Sequence, residues 1–290
     1  MLISEENVRK KNKRKIILLI ALIVFALFNA IELIRSNTYI QVEEFTYKSE
    51  LVPEEFDGCK IVHISDFHNQ GKNYTDRLVK KTKEQTPDYI FITGDICDSM
   101  RTDIDDAIYF IEKISAVAPC YLIWGNHDYN VTDDERQQMW DCAEKNGATV
   151  LESDYTTIEK NGESVFIVGT SSHMNSEFTV NMLENFPQKQ GLTLWLHHYP
   201  EDFSDILETS QGHNNKADLV FSGHAHGGLV GLPFNNGFFS PGQGILPEYT
   251  SGDYYENESM MLVSRGVGNS SYTKRFLNPF QLVVCTLEKE

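Results

Sequence analysis

Short apolar runs that end in polar residues recur between residues 60 and 228 of this chain. Each run holds five or six residues rich in Ile, Val, Leu and Phe, a pattern typical of buried β-strands. Asp, Asn or His follows each run closely. Open α/β sheets bind ligands beyond the carboxyl ends of their strands, so we expect these polar residues to meet at one edge. The runs cover residues 60–65, 89–93, 120–124, 192–196 and 218–222.

Periodic apolar positions between these runs predict helices. Thr75 is a candidate N-cap for a helix over residues 76–85. Isoleucines spaced for a buried stripe predict a second helix over residues 103–116. A third begins at Asp133 and stops at Asn146-Gly147, and a short fourth covers residues 201–208. The first half of the chain therefore alternates strand and helix.

Further strands are predicted outside this alternation. Asn161-Gly162 is a strong hairpin signal between two strand-like runs. An imperfect alternation near residue 40 favours another strand, and two more close the chain. These predicted strands cover residues 39–47, 155–159, 164–169, 260–264 and 281–287.

Residues 16–34 form an apolar segment behind a basic cluster. Residues 16–31 carry no charge, whereas residues 1–15 hold six Lys/Arg against two Glu. Nineteen helical residues extend about 28 Å at ~1.5 Å per residue, close to the ~30 Å hydrocarbon layer. A cleaved signal peptide is the alternative, but it needs a shorter core and a small-x-small site. A buried core helix is not normally apolar on every face directly beside a basic cluster.

The segment therefore predicts a division into three parts. Residues 1–15 form a basic cytoplasmic tail, residues 16–35 a transmembrane signal anchor, and residues 36–290 the external domain. The positive-inside rule gives this orientation. We expect a single-pass protein of the cell membrane with its catalytic domain on the extracytoplasmic side.

Charge narrows the set of partners. The chain has 290 residues, 41% of them hydrophobic, and a formal charge of −17. Removing the +4 of residues 1–15 leaves −21 on residues 32–290. A domain with this negative charge repels the phosphate backbone of nucleic acids, which argues against polymeric nucleic acid as a partner. Five cysteines without a C-x-x-C pair argue against a disulfide framework.

Seven oxygen or nitrogen donors follow the predicted strands. Any one of them is a weak signal, because a single His or Asp is more often structural than a ligand. Together they are informative, since buried charge must be paired or bound to metal. Glycines lie at the bends beside them. The donors are Asp66, His68, Asp95, Asn126, His198, His224 and His226.

In order, the motifs Asp-x-His, Gly-Asp-x-x-Asp, Gly-Asn-His-Asp, a later His and Gly-His-x-His resemble the calcineurin-like metallophosphoesterases. The resemblance runs from about residue 60 to residue 228. The tail over residues 264–269 is similar to the small membrane-associated bacterial branch of that family. The resemblance implies a four-layer α/β/β/α sandwich that holds two divalent metal ions.

Carried over by position, the resemblance implies two ligand sets that share Asp95. The first is Asp66, His68, Asp95 and His226; the second is Asp95, Asn126, His198 and His224. His198 is preferred over His197 because relatives place this ligand two residues before a Pro-acid pair, here Pro200-Glu201. Mixed Asp/Asn/His ligation suits Mn, Fe or Zn, without choosing among them.

The resemblance also places His127 beside the scissile phosphate, with Asp128 orienting its ring. Asp98 would orient its loop rather than bind metal. Hydrolysis of a phosphate ester needs a hydroxide, charge neutralisation and a stabilised leaving oxygen, and two metals ~3.5–4 Å apart supply the first two. We expect in-line attack by a metal-bridging hydroxide, with His127 assisting the leaving group.

The predicted function is metal-dependent hydrolysis of a phosphate ester, by a phosphodiesterase or pyrophosphatase. The anchor suggests a small phosphorylated substrate that is lipid-linked or part of the cell envelope. Two alternatives are an anchored metal-binding protein without turnover and a secreted nucleotidase or nuclease of the same fold. Aromatic residues in the late loops either form an apolar rim or pack those loops: Phe234, Phe238, Phe239, Tyr249, Tyr254 and Tyr255.

Overall fold

The structure is a computed structural model that describes residues 2–171, 177–186, 191–213, 216–232, 237–271 and 274–290. One helix, α1 (Leu2–Ser36), includes both the basic tail and the apolar segment. Its stretch from Asn7 to Ser36 is long and apolar enough to cross a membrane, and it is not buried against the rest of the protein. The predicted span is thus part of a longer helix.

The first of two six-stranded sheets carries the early motifs. Its order is β1-β14-β2-β3-β4-β5, where β2 to β5 run parallel and β14 is antiparallel to β2. β1 and β14 pair in parallel along their whole length. The strands are β1 (Ile40–Ser49), β2 (Lys60–Ile64), β3 (Tyr89–Thr93), β4 (Cys120–Ile123), β5 (Thr149–Val150) and β14 (Phe280–Lys289).

The second sheet carries the later motifs. Its strands are β6 (Asp154–Lys160), β7 (Glu163–Thr170), β8 (Thr193–His197), β9 (Leu219–Ser222), β12 (Gly252–Glu256) and β13 (Ser259–Val263). Their order is β12-β13-β9-β8-β7-β6, and β7, β8, β9 and β13 run parallel. β6 and β7 form the hairpin predicted at Asn161-Gly162. A small separate hairpin pairs β10 (Phe239–Ser240) with β11 (Gly244–Ile245).

Helices cover the outer face of each sheet. α2 (Lys72–Glu84), α3 (Ile104–Ser115) and α5 (Asp133–Lys145) pack on the first sheet. α6 (Glu177–Asn185) and α7 (Phe203–Gly212) pack on the second. A third core lies between the two sheets. The body is therefore a four-layer α/β/β/α sandwich, as the motifs implied.

The central strands are buried on both faces, which explains why their sequences are continuous apolar runs. In β2, Val62 packs under the helices, whereas Ile61 points into the core between the sheets. Ile90 and Phe91 divide in the same way in β3. Each such side chain contributes about 1.5–3 kcal/mol on burial, so both faces stabilise the sandwich.

Three helices differ from the sequence prediction, among them α6, for which none was predicted. α2 begins at Lys72 rather than after Thr75, and Thr75 is buried inside it. The amide of Gly71, before the helix, donates to the Asp106 carboxylate at 2.9 Å, a contact from a distant helix. The short helix α4 (Asn126–Tyr129) was not predicted. It follows β4 directly and carries three residues of the Gly-Asn-His-Asp motif.

Candidate metal centre

The carboxyl ends of strands from both sheets meet at one edge of the sandwich. β2, β3 and β4 reach this edge from the first sheet, and β8 and β9 reach it from the second. Several hydrogen bonds join the sheets there, among them two that involve the predicted donors. The amide of His224 donates to the Asp66 carboxylate at 3.2 Å, and His198 Nδ1 donates to the Thr93 carbonyl at 2.6 Å. All seven donors predicted from the sequence lie at this edge.

The loops that follow β2 and β3 support each other. The amide of Asp66 donates to the Gly94 carbonyl, and the amide of His68 donates to the Asp95 carbonyl, each at 3.0 Å. Asp66, His68 and Asp95 have φ values of 55°, 48° and 55°. Left-handed backbone at non-glycine residues is strained and tends to cluster at functional sites. His224 and His226 share it, with φ values of 63° and 49°.

Glycines allow the loops to approach closely. A Cβ atom on Gly125 would lie 2.2 Å from Asp95 Oδ1, and one on Gly94 would lie 2.2 Å from the Gly125 nitrogen. In the second sheet, a Cβ on Gly223 would lie 1.8 Å from Ser65 Oγ. These positions therefore need glycine for lack of space. Any side chain there would displace the neighbouring donors.

The carboxylate of Asp95 lies between two groups of histidines. Its Oδ2 atom is 3.5 Å from His68 Nε2 and 3.4 Å from His198 Nε2. Its Oδ1 atom accepts a hydrogen bond from the His127 amide at 2.8 Å, which fixes the orientation of the carboxylate. One oxygen atom is thus shared by both groups, the position required of a bridging ligand.

The first group contains Asp66, His68 and His226. Asp66 Oδ1 lies 3.8 Å from His68 Nε2 and 3.6 Å from His226 Nε2. The two imidazole rings stack with centroids 5.1 Å apart. Both ring nitrogens of His68 are buried and have no hydrogen-bond partner among the described residues. An unsatisfied buried polar group lowers stability by about 1–3 kcal/mol, and a bound metal ion would satisfy one of these nitrogens.

The second group contains Asp95, Asn126, His198 and His224. One ligand atom from each of Asp95, His198 and His224 lies within 4.8 Å of the others. Nδ1 of His198 donates to a carbonyl, which leaves its Nε2 facing Asp95 Oδ2 and Asn126 Oδ1, the latter at 3.2 Å. Atoms with lone pairs face one another here, so a proton or a metal ion must lie between them.

The two adjacent histidines after β8 take different roles. His198 faces the site, whereas His197 contacts Thr170 Oγ1 of β7 at 2.7 Å and Asp202 Oδ2 at 3.1 Å. Successive residues of an extended chain point to opposite faces, so only one of the pair can reach the centre. The placement matches the preference for His198.

The surroundings of His127 differ from what the resemblance implied. Asp128 was expected to orient its ring. Instead the Asp128 carboxylate accepts backbone hydrogen bonds from Ile96, Cys97 and Gly125 at 3.2, 2.8 and 3.0 Å. The Asp128 carboxylate therefore links the loop after β3 to the loop after β4. The expectation that Asp128 orients the ring was wrong, because the short helix α4 turns its carboxylate back toward Gly125.

Ser99, rather than Asp128, orients the ring of His127. Its amide donates to Nδ1 of His127 at 3.1 Å, and its hydroxyl lies 3.0 Å from the same atom. Nδ1 therefore acts as an acceptor, which leaves Nε2 to carry the ring proton. Asp98 Oδ1 is 3.7 Å from Nδ1 and also accepts from the Met100 amide at 3.0 Å. Asp98 thus holds its own loop, as expected, beside the His127 ring.

Electrostatics at the centre favour a cation. Burial would raise the pKa of Asp95, but His198, His68 and His127 hold it well below its usual value. Burial would lower the pKa of His198, but Asp95 and Asp66 raise it to about 9. Burial raises the pKa of Asp66 to about 6, although the neighbouring His198 lowers it. The two carboxylates therefore stabilise a positive charge, which the protonated ring of His198 carries.

The other histidines are held neutral. Burial lowers the pKa of His68 to about 4 and that of His224 to about 3. Burial also lowers the pKa of His226 well below its usual value. Neutral imidazole is the form that binds metal. Two carboxylates, four imidazoles and one amide oxygen converge here, a donor set that fits two divalent ions of the Mn, Fe or Zn type.

Besides Ser99, three residues near the centre were missed by the sequence reasoning. Arg275 is fully buried, and its Nη2 lies 3.1 Å from His226 Nδ1. The side-chain amide of Asn278 donates to the His226 carbonyl at 2.7 Å. Glu201 Oε1 is 4.0 Å from His224 Nε2. Arg275 and Asn278 lie about 50 residues beyond their partner, and no local pattern marks them; Glu201 belongs to the quoted Pro-acid pair.

Comparison with known proteins places this arrangement in a family. The family model described as calcineurin-like phosphoesterase matches residues 59–228, more than half of the chain. The matched segment begins just before β2 and ends at the Gly-His-x-His loop. It therefore includes every residue of the two groups described above.

Curated relatives match over most of the chain. The metallophosphoesterase YkuE of Bacillus subtilis is 30% identical over 259 residues, 86% of each chain. YkoQ of the same organism is 27% identical over 222 residues, 74% of this chain and 78% of its own. A transmembrane protein with a metallophosphoesterase domain from Danio rerio is 23% identical over 284 residues, 90% of this chain and 63% of its own.

Proposed function

This chain belongs to the calcineurin-like phosphoesterases, and from that premise we propose that it cleaves a phosphodiester or pyrophosphate bond of an envelope or lipid-linked substrate. Membership of the family makes it a phosphoester hydrolase. The type of bond, the substrate and the membrane location are our proposal.

The shared carboxylate oxygen of Asp95 is the observation that carries the hydrolytic part of the proposal. It lies 3.5 Å from His68 Nε2 and 3.4 Å from His198 Nε2, between two otherwise separate sets of donors. One ion would be held by Asp66, His68, Asp95 and His226. The other would be held by Asp95, Asn126, His198 and His224. Bound there, two divalent ions supply a nucleophilic water of lowered pKa and neutralise charge on the phosphoryl group.

The chain's own side chains provide the remaining chemistry. The side chain of His127 is partly exposed, and Ser99 holds its Nδ1 so that the protonated Nε2 is free to donate. A leaving oxygen placed beside Nε2 would receive that proton or a hydrogen bond from it. Gly125 and Asp128 keep the loop that carries His127 against the loop that carries Asp95. Donor and ligand are thereby fixed relative to each other.

The membrane location rests on α1. Its apolar stretch is long enough to cross a bilayer, and six basic residues lie within residues 1–15. By the positive-inside rule these basic residues stay in the cytoplasm, which puts the hydrolase domain on the extracytoplasmic side. A substrate of the envelope or of the outer leaflet would meet the enzyme there.

The test uses the full chain, purified in detergent and stripped of metal with a chelator. Mn, Zn, Fe and Mg are added singly, and turnover of bis-p-nitrophenyl phosphate, p-nitrophenyl phosphate and single-stranded oligonucleotides is followed. We expect metal to restore turnover of the diester, Asp95→Asn to abolish it, and Asp134→Asn, the same change at an exposed position, to leave it intact.

Three results would contradict the proposal. If the folded protein binds two ions but shows no turnover with any metal, the result would favour an anchored metal-binding protein without catalytic activity. A preference for the monoester would indicate a phosphatase. Turnover confined to oligonucleotides would indicate a nuclease.

A further inference from the structure

Helix α1 ends directly against the hydrolase domain, without a spacer. Ile34 is exposed, whereas Ser36 is fully buried, and its hydroxyl accepts a hydrogen bond from the Asn278 amide at 3.1 Å. The side chain of Asn37 donates to the Arg275 carbonyl at 2.8 Å. Two helical residues advance only about 3 Å. If α1 spans the bilayer, the domain surface around Asn278 lies within the headgroup layer, which is roughly 5–8 Å thick on each side.

An uncharged loop lies on the same surface. Residues 238–247 contain no Asp, Glu, Lys or Arg, although the chain as a whole carries −17. Several of their apolar side chains face solvent, with Ile245 and Leu246 exposed by 68% and 67%. Phe238, Phe239 and Leu277 are exposed by 41–48%. We call these five side chains the apolar loop face: Phe238, Phe239, Ile245, Leu246 and Leu277.

Backbone hydrogen bonds connect the apolar loop face to the end of α1. The Leu246 amide donates to the Phe238 carbonyl, and the Phe238 amide donates to the Val230 carbonyl. The Gly231 amide donates in turn to the Phe276 carbonyl at 2.8 Å. Leu277 and Asn278 follow Phe276, and Asn278 contacts Ser36. The face is therefore continuous with the point where the proposed span leaves the bilayer.

Backbone conformation keeps two of these side chains outward. Leu246 and Leu277 have φ values of 54° and 53°, a region that bulky residues rarely adopt. A strained, solvent-exposed leucine is unfavourable in water on both counts. Transfer of the side chain into a bilayer interface would offset the exposure. A loop that faces only water would need neither exposed leucines nor a strained backbone at those leucines.

The other late aromatic residues behave differently. The rings of Tyr249 and Tyr254 pack against each other with centroids 5.0 Å apart, and Tyr249 also contacts Phe203. They pack the loops, as the second sequence interpretation held. Tyr255 is exposed on β12, at a separate place, and Phe234 lies outside the described residues. The rim interpretation therefore applies only to Phe238 and Phe239.

The metal centre lies beside this surface. Asn278, which contacts Ser36, also donates from its side chain to the His226 carbonyl. Arg275, whose carbonyl holds Asn37, reaches His226 Nδ1 through its guanidinium. The Phe238 amide donates to the Gly228 carbonyl at 3.0 Å, at the end of the Gly-His-x-His loop. The reaction centre is thus within two side chains of the end of the span.

We propose that the apolar loop face inserts into the bilayer beside α1, and that the enzyme takes a lipid whose phosphate lies at headgroup level. The insertion is independent of catalysis, whereas the lipid substrate rests on the proposed hydrolase function. Exposed Lys274 lies near the same surface and favours contact with anionic headgroups.

Spin-label accessibility tests the insertion. The full chain is reconstituted into vesicles of phosphatidylethanolamine and phosphatidylglycerol, with a nitroxide at Leu246→Cys or, as the control, at Tyr255→Cys, which is 69% exposed. The labelled unsubstituted chain gives the background, since four of its cysteines are buried and Cys142 is partly exposed. We expect the label at position 246 to collide more with oxygen and less with a water-soluble nickel chelate than the label at position 255.

Two outcomes would overturn the insertion. One is a label at position 246 that is as accessible to the nickel chelate as the label at position 255. The other is exclusion of both reagents together with dipolar broadening between labels, which would show that a second copy of the chain covers the face.

A matched pair of substrates tests the lipid specificity. The variant Ile245→Ser/Leu246→Ser should turn over bis-p-nitrophenyl phosphate in detergent at the unsubstituted rate. It should turn over vesicle-embedded phosphatidyl-p-nitrophenol roughly tenfold more slowly, because interfacial binding scales with buried apolar area. Equal rates on the lipid would overturn this part. If the unsubstituted chain hydrolyses neither compound, the proposed function fails, and the spin labels still decide the insertion.

Discussion

Substitution of Gly125 by alanine probes the contact on which the shared carboxylate depends. The backbone at Gly125, with φ −97° and ψ −179°, is open to any residue, so alanine brings no conformational strain. Its Cβ would lie 2.2 Å from Asp95 Oδ1 and 2.6 Å from the Asp95 nitrogen. The whole effect of the substitution is therefore steric, and it acts on the carboxylate that both ligand groups share.

The size of the effect follows from the geometry. Relief of the clash requires Asp95 to move by about 1 Å, which would break its 2.8 Å hydrogen bond from the His127 amide. A misplacement of about 1 Å in a catalytic group costs about 10²-fold in rate. Overpacking costs about 1–3 kcal/mol of stability. We expect Gly125→Ala to remain folded, to bind metal more weakly and to lose about 10²-fold in turnover of bis-p-nitrophenyl phosphate.

The assay combines turnover with metal titration of the full chain. Gly212→Ala is the matched control, because Gly212 is the last residue of α7 and, within the described part of the chain, no residue beyond its own helix and its neighbours comes within 4 Å of the added methyl group. It should keep full activity and gain slightly in stability, by less than about 1 kcal/mol. Unchanged turnover and unchanged metal affinity in Gly125→Ala would refute the assignment of Asp95 as the shared ligand.

Three further predictions test individual residues. His127→Ala should lower turnover by about 10²–10⁴-fold at unchanged metal content, since His127 assists the leaving group; an equal loss of metal would contradict this role. Asp128→Asn should lower the free energy of unfolding in urea by about 1–3 kcal/mol, since one of its three backbone donors would lose its acceptor; lost turnover at unchanged stability would instead support a ring-orienting role. Burial lowers the pKa of His63 from 6.5 to about 3. Between these pH values the folded chain therefore binds fewer protons than the unfolded chain. The free energy of unfolding should fall by up to about 5 kcal/mol as the pH drops from 6.5 to 3. The variant His63→Gln should reduce that loss in urea unfolding over a pH series, and identical pH profiles would show that His63 is not responsible.

The position of the site could be predicted from the sequence because its determinants are local. A strand that is buried on both faces is a continuous apolar run, and the residue after it reaches the edge of the sheet. Asp66, Asp95 and Asn126 come together for this reason. The choice of His198 over His197 also had a local basis, since neighbouring residues of an extended chain point to opposite sides.

The features that the sequence did not reveal depend on distant contacts. The helix α2 begins directly after Gly71, whose amide donates to Asp106 in another helix. Arg275 reaches His226 only because β14 brings the end of the chain back beside β2. Asp128 is an exception, because a local signal existed. It stands three residues after Gly125, the spacing at which a carboxylate caps the start of a helix, and it does so here.

Metal stoichiometry tests the central claim most directly. The full chain, stripped and reloaded with Mn(II), would be desalted and its metal content measured by mass spectrometry beside Asp95→Asn and Asp134→Asn. With one carboxylate shared between two sites, the unsubstituted chain and Asp134→Asn should each retain two ions per chain, and Asp95→Asn should lose both. A single ion in the unsubstituted chain, or two ions retained in Asp95→Asn, would contradict a dinuclear centre bridged by Asp95.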